Sequence, residues 1–299
     1  MIQQMSFPLN KMRDLLIKVK INPLFWLVLG IGVATGYFRE VLMVFLIVFI
    51  HELGHAFAAI AFKWRIYKIE LLPFGGVAEV DHGGNRPIYE EAIVVIAGPL
   101  QHLWMMLASF ACIGLPFWSA ADHQLFVWHN LMILGFNLIP ILPLDGGRLL
   151  HLWLTAVLPY QKALLRARQL SIGALVLLVL LSAVYFPFHL NLWVVISFLL
   201  LANYFEWKQR HYHFMRFLMT RSNESAARRH SVIRLKDSLA VRDAVKQLRR
   251  GYRHDFRIYR RWQASVAHVT EAELVQAFFQ MKNPHAPLSS FPFAQDDRR

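Results

Sequence analysis

The residues best suited to chemistry are His51, Glu52 and His55. In the stretch His51-Glu52-Leu53-Gly54-His55, two imidazoles stand four positions apart with a carboxylate beside the first. Positions four apart on a helix face the same way, so both imidazoles can reach one zinc ion while Glu52 stands beside the metal as a general base. The chemistry this points to is hydrolysis by an activated water. In a soluble helix the same pattern also arises with its histidines on a solvated face and no metal. Here it lies inside an apolar run from Val41 to Phe62. An ionisable residue in such a span costs roughly 2.5–3.5 kcal/mol on insertion scales, so the three together must face the protein interior.

A catalytic zinc needs a third protein ligand and an open position for water. The stretch Asn137-Leu138-Ile139-Pro140-Ile141-Leu142-Pro143-Leu144-Asp145-Gly146-Gly147-Arg148 supplies one candidate: two prolines break an apolar helix, and Asp145 sits at the break. Broken helices at membrane depth are tolerated where they line a site or cavity. Asp145 is the expected third ligand. The sole cysteine, Cys112, lies in an apolar stretch without a CxxC partner and is expected to pack in the core.

The elements that position these groups must be membrane spans. The chain has 299 residues, 56% of them hydrophobic, too apolar for an ordinary soluble protein. It reads as a polytopic α-helical membrane protein with about six transmembrane helices, near 23–38, 41–62, 90–117, 124–144, 170–187 and 190–206. A shorter apolar segment from Leu149 to Leu158 is expected in the interface. Lys11, Arg13, Lys18 and Lys20 precede the first span, which lacks a convincing small-residue cleavage pattern and is read as retained. Six crossings put both ends on one side. Lys63, Arg65 and Lys68, and Lys162, Arg166 and Arg168, fall on that side, whereas the opposite loops hold only Arg39, so both termini are expected to be cytoplasmic. His51 then lies roughly 15 Å into the second span, near the middle of the bilayer, and water must reach it through a cavity lined by protein.

Between the second and third spans, residues 67–80 read as two extended stretches around a Pro and Gly-Gly break, a hairpin, with an ordinary surface loop as the alternative. The net charge of +13 is concentrated at the end of the chain, where Trp207 to Arg299 hold 19 Lys and Arg against 8 Asp and Glu. Such a tail beside an anionic lipid bilayer gains attraction from each basic residue, and no nucleic acid is needed to explain it.

An HExxH stretch in one span, an Asn-Pro-Asp-Gly type segment in a later one and Pro73-Phe74-Gly75-Gly76 between them resemble the site-2 protease family of intramembrane zinc metalloproteases, over roughly residues 41–150. The resemblance implies one zinc ion per chain held by His51, His55 and Asp145, with Glu52 as catalytic acid and base. It implies that Gly75 and Gly76 belong to a membrane-associated β-hairpin beside the substrate, and that Asn137, Pro140 and Pro143 shape the active-site region. The chain departs from the family at one point. Many members carry Gly-Pro-x-x-Asn in the intervening span, whereas Gly98-Pro99-Leu100-Gln101-His102 puts histidine at the Asn position. His102 is expected as a polar partner near the site or a packed side chain, outside the ligand set.

Residues 225–290 alternate short extended and helical stretches and are similar to a single CBS domain, a small α/β fold. Thr270 and Glu273 open its last helix, where a nucleotide could bind the helix N-terminus. One CBS domain is half of the usual pair, so nucleotide binding would need a homo-oligomer. The expected organisation is a transmembrane metalloprotease domain over 1–207, a linker over 208–224, the CBS-like domain and a tail over 291–299. Six spans with one such domain are similar to the family's sporulation branch. That implies cleavage of a sigma-factor precursor at the mother-cell membrane around the forespore, restraint by membrane inhibitor proteins and a response to ATP. The alternatives are a family member acting on an anti-sigma factor, a CBS-regulated ion or metal transporter using the same four residues as an ion path, and a scaffold. No inverted repeat supports transport, and the intact Glu52 speaks against a scaffold.

Overall fold

A computed structural model describes residues 19–21, 26, 30, 32–64, 66–72, 75–80, 86–221, 229–259, 266–280 and 285–290. Of the expected first span, 23–38, residues 26, 30 and 32–38 are described, and the 291–299 tail lies outside the described residues. The chain divides into two compact units, one holding most of the sequence up to Ile139 together with Leu144–Gly146, the other holding Pro140–Pro143 and everything from Gly147 onward.

The first unit is built on α1 (Phe38–Ala61), α2 (Ile88–Ala111) and α3 (Ala120–Asn137). Along α1 the buried residues include Met43, Ile47, His51, His55 and Ala59, a stripe repeating every fourth position. The two histidines therefore share the interior face. An apolar cluster of Met43, Ile47, Met105 and Phe126 packs around one stretch of this stripe, and Ala56, Ala59, Trp64 and Val94 pack around another. Gly54 lets the backbones of α1 and α2 close in: a Cβ there would lie 2.6 Å from the carbonyl oxygen of Ala97.

The span expected over 90–117 ends at Ala111. Gly114, at φ +95°, turns the chain, and a capping box between Ser119 and Asp122 starts α3. Asp122 also pairs with Arg39 at 3.2 Å. The span expected over 124–144 is helical only from Ala120 to Asn137, because Pro140 and Pro143 cannot donate to a helical ladder.

Residues 66–80 do form a hairpin, with β2 (Ile66–Leu72) antiparallel to β3 (Gly75–Val80) and the tip, 73–74, outside the described residues. Both strands contact α1. A further strand, β1 (Val19–Ile21), pairs in parallel with β2, giving the order β1-β2-β3. This third strand was not foreseen.

The second unit contains α4 (Asp145–Val157) from Gly147 on, α5 (Tyr160–Tyr185), α6 (Leu190–Lys208) and α7 (Arg210–Arg221). The interfacial segment expected over 149–158 is part of α4. The span expected over 170–187 is the later part of α5, whose first ten residues hold Lys162, Arg166 and Arg168 and so fall out of a hydropathy window. Four described helices, α1, α2, α5 and α6, are long and apolar enough to cross a membrane.

Beyond them lies a sheet of order β4-β5-β6, in which β4 (Arg229–Lys236) pairs in parallel with β5 (Tyr252–Tyr259) and β5 antiparallel with β6 (Val266–Thr270). Two helices, α8 (Val241–Val245) and α9 (Glu271–Gln280), complete a β-α-β-β-α order. Within the expected linker, 208–224, residues 210–221 form α7, and its Phe217 and Leu218 are fully buried in one core with Leu235, Phe256 and Leu274. Phe214, Phe217 and Leu218 share a face at helical spacing, which gives this helix an apolar side to bury.

Candidate metal centre

Three buried donor atoms converge in the first unit. His51 Nε2 and His55 Nε2 lie 3.1 Å apart, and Asp145 Oδ2 lies 3.1 Å from the first and 3.3 Å from the second. Zinc bonds of about 2.0–2.1 Å in tetrahedral geometry put neighbouring ligand atoms about 3.3 Å apart, so the triangle has the dimensions of one face of a zinc site. Among the described residues this is the group of metal-ligating side chains close enough to hold an ion. Its chemistry fits too, since two imidazoles and a carboxylate are zinc donors and a carboxylate this deeply buried is retained where a cation meets it.

The orientation of each ligand has a local cause. His55 Nδ1 lies 2.8 Å from the carbonyl oxygen of Val94. A carbonyl only accepts, so Nδ1 carries the proton and the Nε2 lone pair points into the triangle. His51 turns its Nδ1 to His102 Nε2 at 3.1 Å. His102 is fully buried and engages the far nitrogen of His51, so it lies outside the triangle, as a polar partner of the site. Room for both rings comes from Gly98, where a Cβ would lie 2.2 Å from His55 Nε2.

Asp145 opens α4 directly after the irregular segment 138–144. The glycines that follow let α4 start against that segment: a Cβ at Gly146 would lie 2.1 Å from the carbonyl oxygen of Leu138, and one at Gly147 2.6 Å from that of Ile141. In the second unit, the Leu142 N–H donates to Ser171 Oγ at 2.8 Å, and Asn203 Nδ2 donates to the Leu142 carbonyl. Asn203 and Ser171 are bonded to each other as well. Glu52, beside His51, is buried on the same helix.

Of the other expected site residues, Asn137 ends α3, Pro140 and Pro143 lie in the irregular segment, and Gly75 and Gly76 open β3 opposite Leu72 and Leu71. Thr270 and Glu273 belong to the second unit, at the end of β6 and in α9. There the Thr270 N–H donates to Glu273 Oε2 and the Glu273 N–H to Thr270 Oγ1, a cap on α9. Asn130, Ser171 and Asn203 were not singled out from sequence. A buried amide or hydroxyl in an apolar span is a weak signal until its partner is known.

Residues 40–123 match the family model for peptidase family M50. The chain is 36% identical to stage IV sporulation protein FB of Bacillus subtilis over 282 residues, covering 94% of this chain and 98% of the relative. It is 34% identical over 168 residues to a zinc metalloprotease of Methanocaldococcus jannaschii, covering 53% of this chain and 48% of that one. The solved structure of a site-2 protease from the same archaeon superposes with a TM-score of 0.51 at 27% identity, covering 63% of this chain and 89% of the other.

Proposed function

The chain belongs to peptidase family M50, the site-2 protease family of intramembrane zinc metalloproteases, and from that premise we propose that it cleaves a membrane-associated sigma-factor precursor during endospore formation. The observation that carries the catalytic part is the convergence of His51, His55 and Asp145 at 3.1–3.3 Å with Glu52 beside them. His51, His55 and Asp145 would hold one zinc ion. When bound, zinc polarises the scissile carbonyl and makes a water more acidic. Glu52 takes the proton from that water as it attacks the carbonyl carbon, then returns it to the amide nitrogen as the peptide bond breaks. Burial excludes bulk water and strengthens each of these interactions.

The substrate must present an extended stretch, because a helix keeps its carbonyls in internal hydrogen bonds. β3 is an outer strand of the β1-β2-β3 sheet among the described residues, and we assign its outer edge to strand pairing with the substrate. Gly75 and Gly76 begin this strand, and Asn137, Pro140 and Pro143 shape the backbone leading to Asp145. The sporulation setting rests on the near full-length similarity to stage IV sporulation protein FB. It carries with it a mother-cell membrane around the forespore, cytoplasmic termini and restraint by membrane inhibitor proteins. The β-α-β-β-α order supports a CBS-like regulatory domain. ATP, contacted by Thr270 and Glu273 in a homo-oligomer, is the ligand assigned to it, and equilibrium dialysis of the purified chain against labelled ATP tests this.

Co-expression of the chain with a candidate precursor tests the function. The parent cleaves the precursor and Glu52→Gln does not. Cleavage by neither, with both proteins present in the membrane, would overturn the substrate assignment.

A further inference from the structure

Behind the inward-facing nitrogen of His51, three buried hydrogen bonds run in series. His51 Nδ1 lies 3.1 Å from His102 Nε2, His102 Nδ1 lies 2.9 Å from Asn130 Oδ1, and Asn130 Nδ2 donates to the Phe126 carbonyl at 2.9 Å. His102 and Asn130 are both fully buried. The direction of every bond follows from the last one. A carbonyl can only accept, so the Asn130 amide nitrogen faces Phe126 and its oxygen faces His102. His102 Nδ1 then carries the proton it donates to that oxygen. A neutral His102 is left with a lone pair on Nε2, which accepts from His51 Nδ1–H. His51 Nε2 is thereby left with its lone pair turned toward His55 and Asp145.

We propose that His102 and Asn130 are positioning residues of the metal centre, fixing the tautomer and ring orientation of His51 so that it is prepared to bind zinc. The inference rests on the zinc reading of the triangle. The two histidine ligands are then oriented by different means. His55 donates to the backbone carbonyl of Val94, which no substitution removes, whereas His51 depends on a pair of side chains. This also gives a physical reason for histidine where the family more often has Asn. An imidazole carries its acceptor and its donor on opposite edges of one ring, so a single side chain on α2 links a ligand on α1 to an amide on α3.

The test compares purified full-length variants in detergent by zinc affinity, measured in competition with a chelator, and by the ligand-field absorption of the cobalt-loaded protein. His102→Leu removes the acceptor while keeping bulk and lowers zinc affinity about 10–100-fold. His102→Gln, which can still accept from His51, stays within about tenfold of the parent and keeps its cobalt spectrum. Asn130→Leu weakens zinc binding in the parent but changes nothing further in the His102→Leu background, because it acts only through His102. If His102→Leu does not fold, His102→Ala takes its place. Equal affinities for the Gln and Leu variants, or an Asn130→Leu cost that is the same in both backgrounds, would overturn the proposal. A parent that binds no zinc would instead overturn the zinc reading on which it rests.

Discussion

Glu52 differs from the histidines on either side of it in what its loss should do. In the proposed mechanism it moves a proton and holds no metal, so it can be replaced without disturbing the three donors. Glu52→Gln is expected to keep parental zinc content and lose at least about 100-fold in cleavage rate, read by metal analysis and a gel-shift of the precursor. Gly98 makes the complementary prediction. A methyl group at that position has no place beside the His55 ring, so Gly98→Ala should leave the chain in the membrane with zinc content well below one per chain. Parental zinc content in that variant would mean that the two helices have slack the geometry does not show. At this scale the three converging donors were legible because helical spacing is local: His51 and His55 declare each other, and Asp145 is marked by the prolines and glycines around it. The His102–Asn130 partnership was not legible, because 28 residues separate the two and only the packing of α2 against α3 brings them together.

At the scale of elements, the irregular segment before Asp145 depends on two distant helices. Ser171 on α5 and Asn203 on α6 occupy the N–H and the carbonyl of Leu142, backbone groups that cost free energy when left unpaired away from water. Replacing Asn203 by Leu should destabilise the chain by about 1–3 kcal/mol, measured as a lower thermal midpoint in detergent. Asn203→Gln, if it still reaches, should cost less. The C-terminal core has its own buried anchor. Arg221 at the end of α7 pairs with Glu271 at 2.6 Å, and the other Glu271 oxygen accepts from the N–H of His254. Burial pushes the Glu271 carboxyl up, but the hydrogen bonds from His254 and the charge of Arg221 outweigh it and hold the group below its ordinary value near 4.5. A carboxyl with a depressed folded-state pKa contributes stability that is full above its ordinary value and is lost as pH falls from there through the folded value. Amide protection in β4, β5, β6 and α9 should therefore drop as pH falls below about 4.5, and Glu271→Gln should flatten that dependence. Span boundaries were less legible than span identities. Hydropathy windows dropped the charged start of α5, carried α2 through a turn, and ran α3 across two prolines. The Thr270–Glu273 pair shows the same limit, since one pattern serves both a helix cap and an anion site.

The whole molecule is an integral membrane metalloprotease, and its candidate metal centre draws two of its three donors from the interior face of α1. Its assigned orientation can be checked with the single cysteine. With both termini cytoplasmic, α2 runs outward and Cys112, just past its end and partly exposed, faces away from the cytoplasm. In growing cells made to express the chain in their surface membrane, a membrane-impermeant maleimide should label it, whereas labelling only after permeabilisation would reverse the orientation. The central claim is that His51, His55 and Asp145 hold one zinc ion with which Glu52 cuts a peptide bond. It is tested most directly by following precursor cleavage by the purified chain in lipid through removal and return of the metal. A chelator should abolish cleavage, one equivalent of zinc should restore it, and Asp145→Asn, unable to retain the ion, should not be restored. Cleavage that persists in the fully chelated chain, or in Asp145→Asn without zinc, would contradict it.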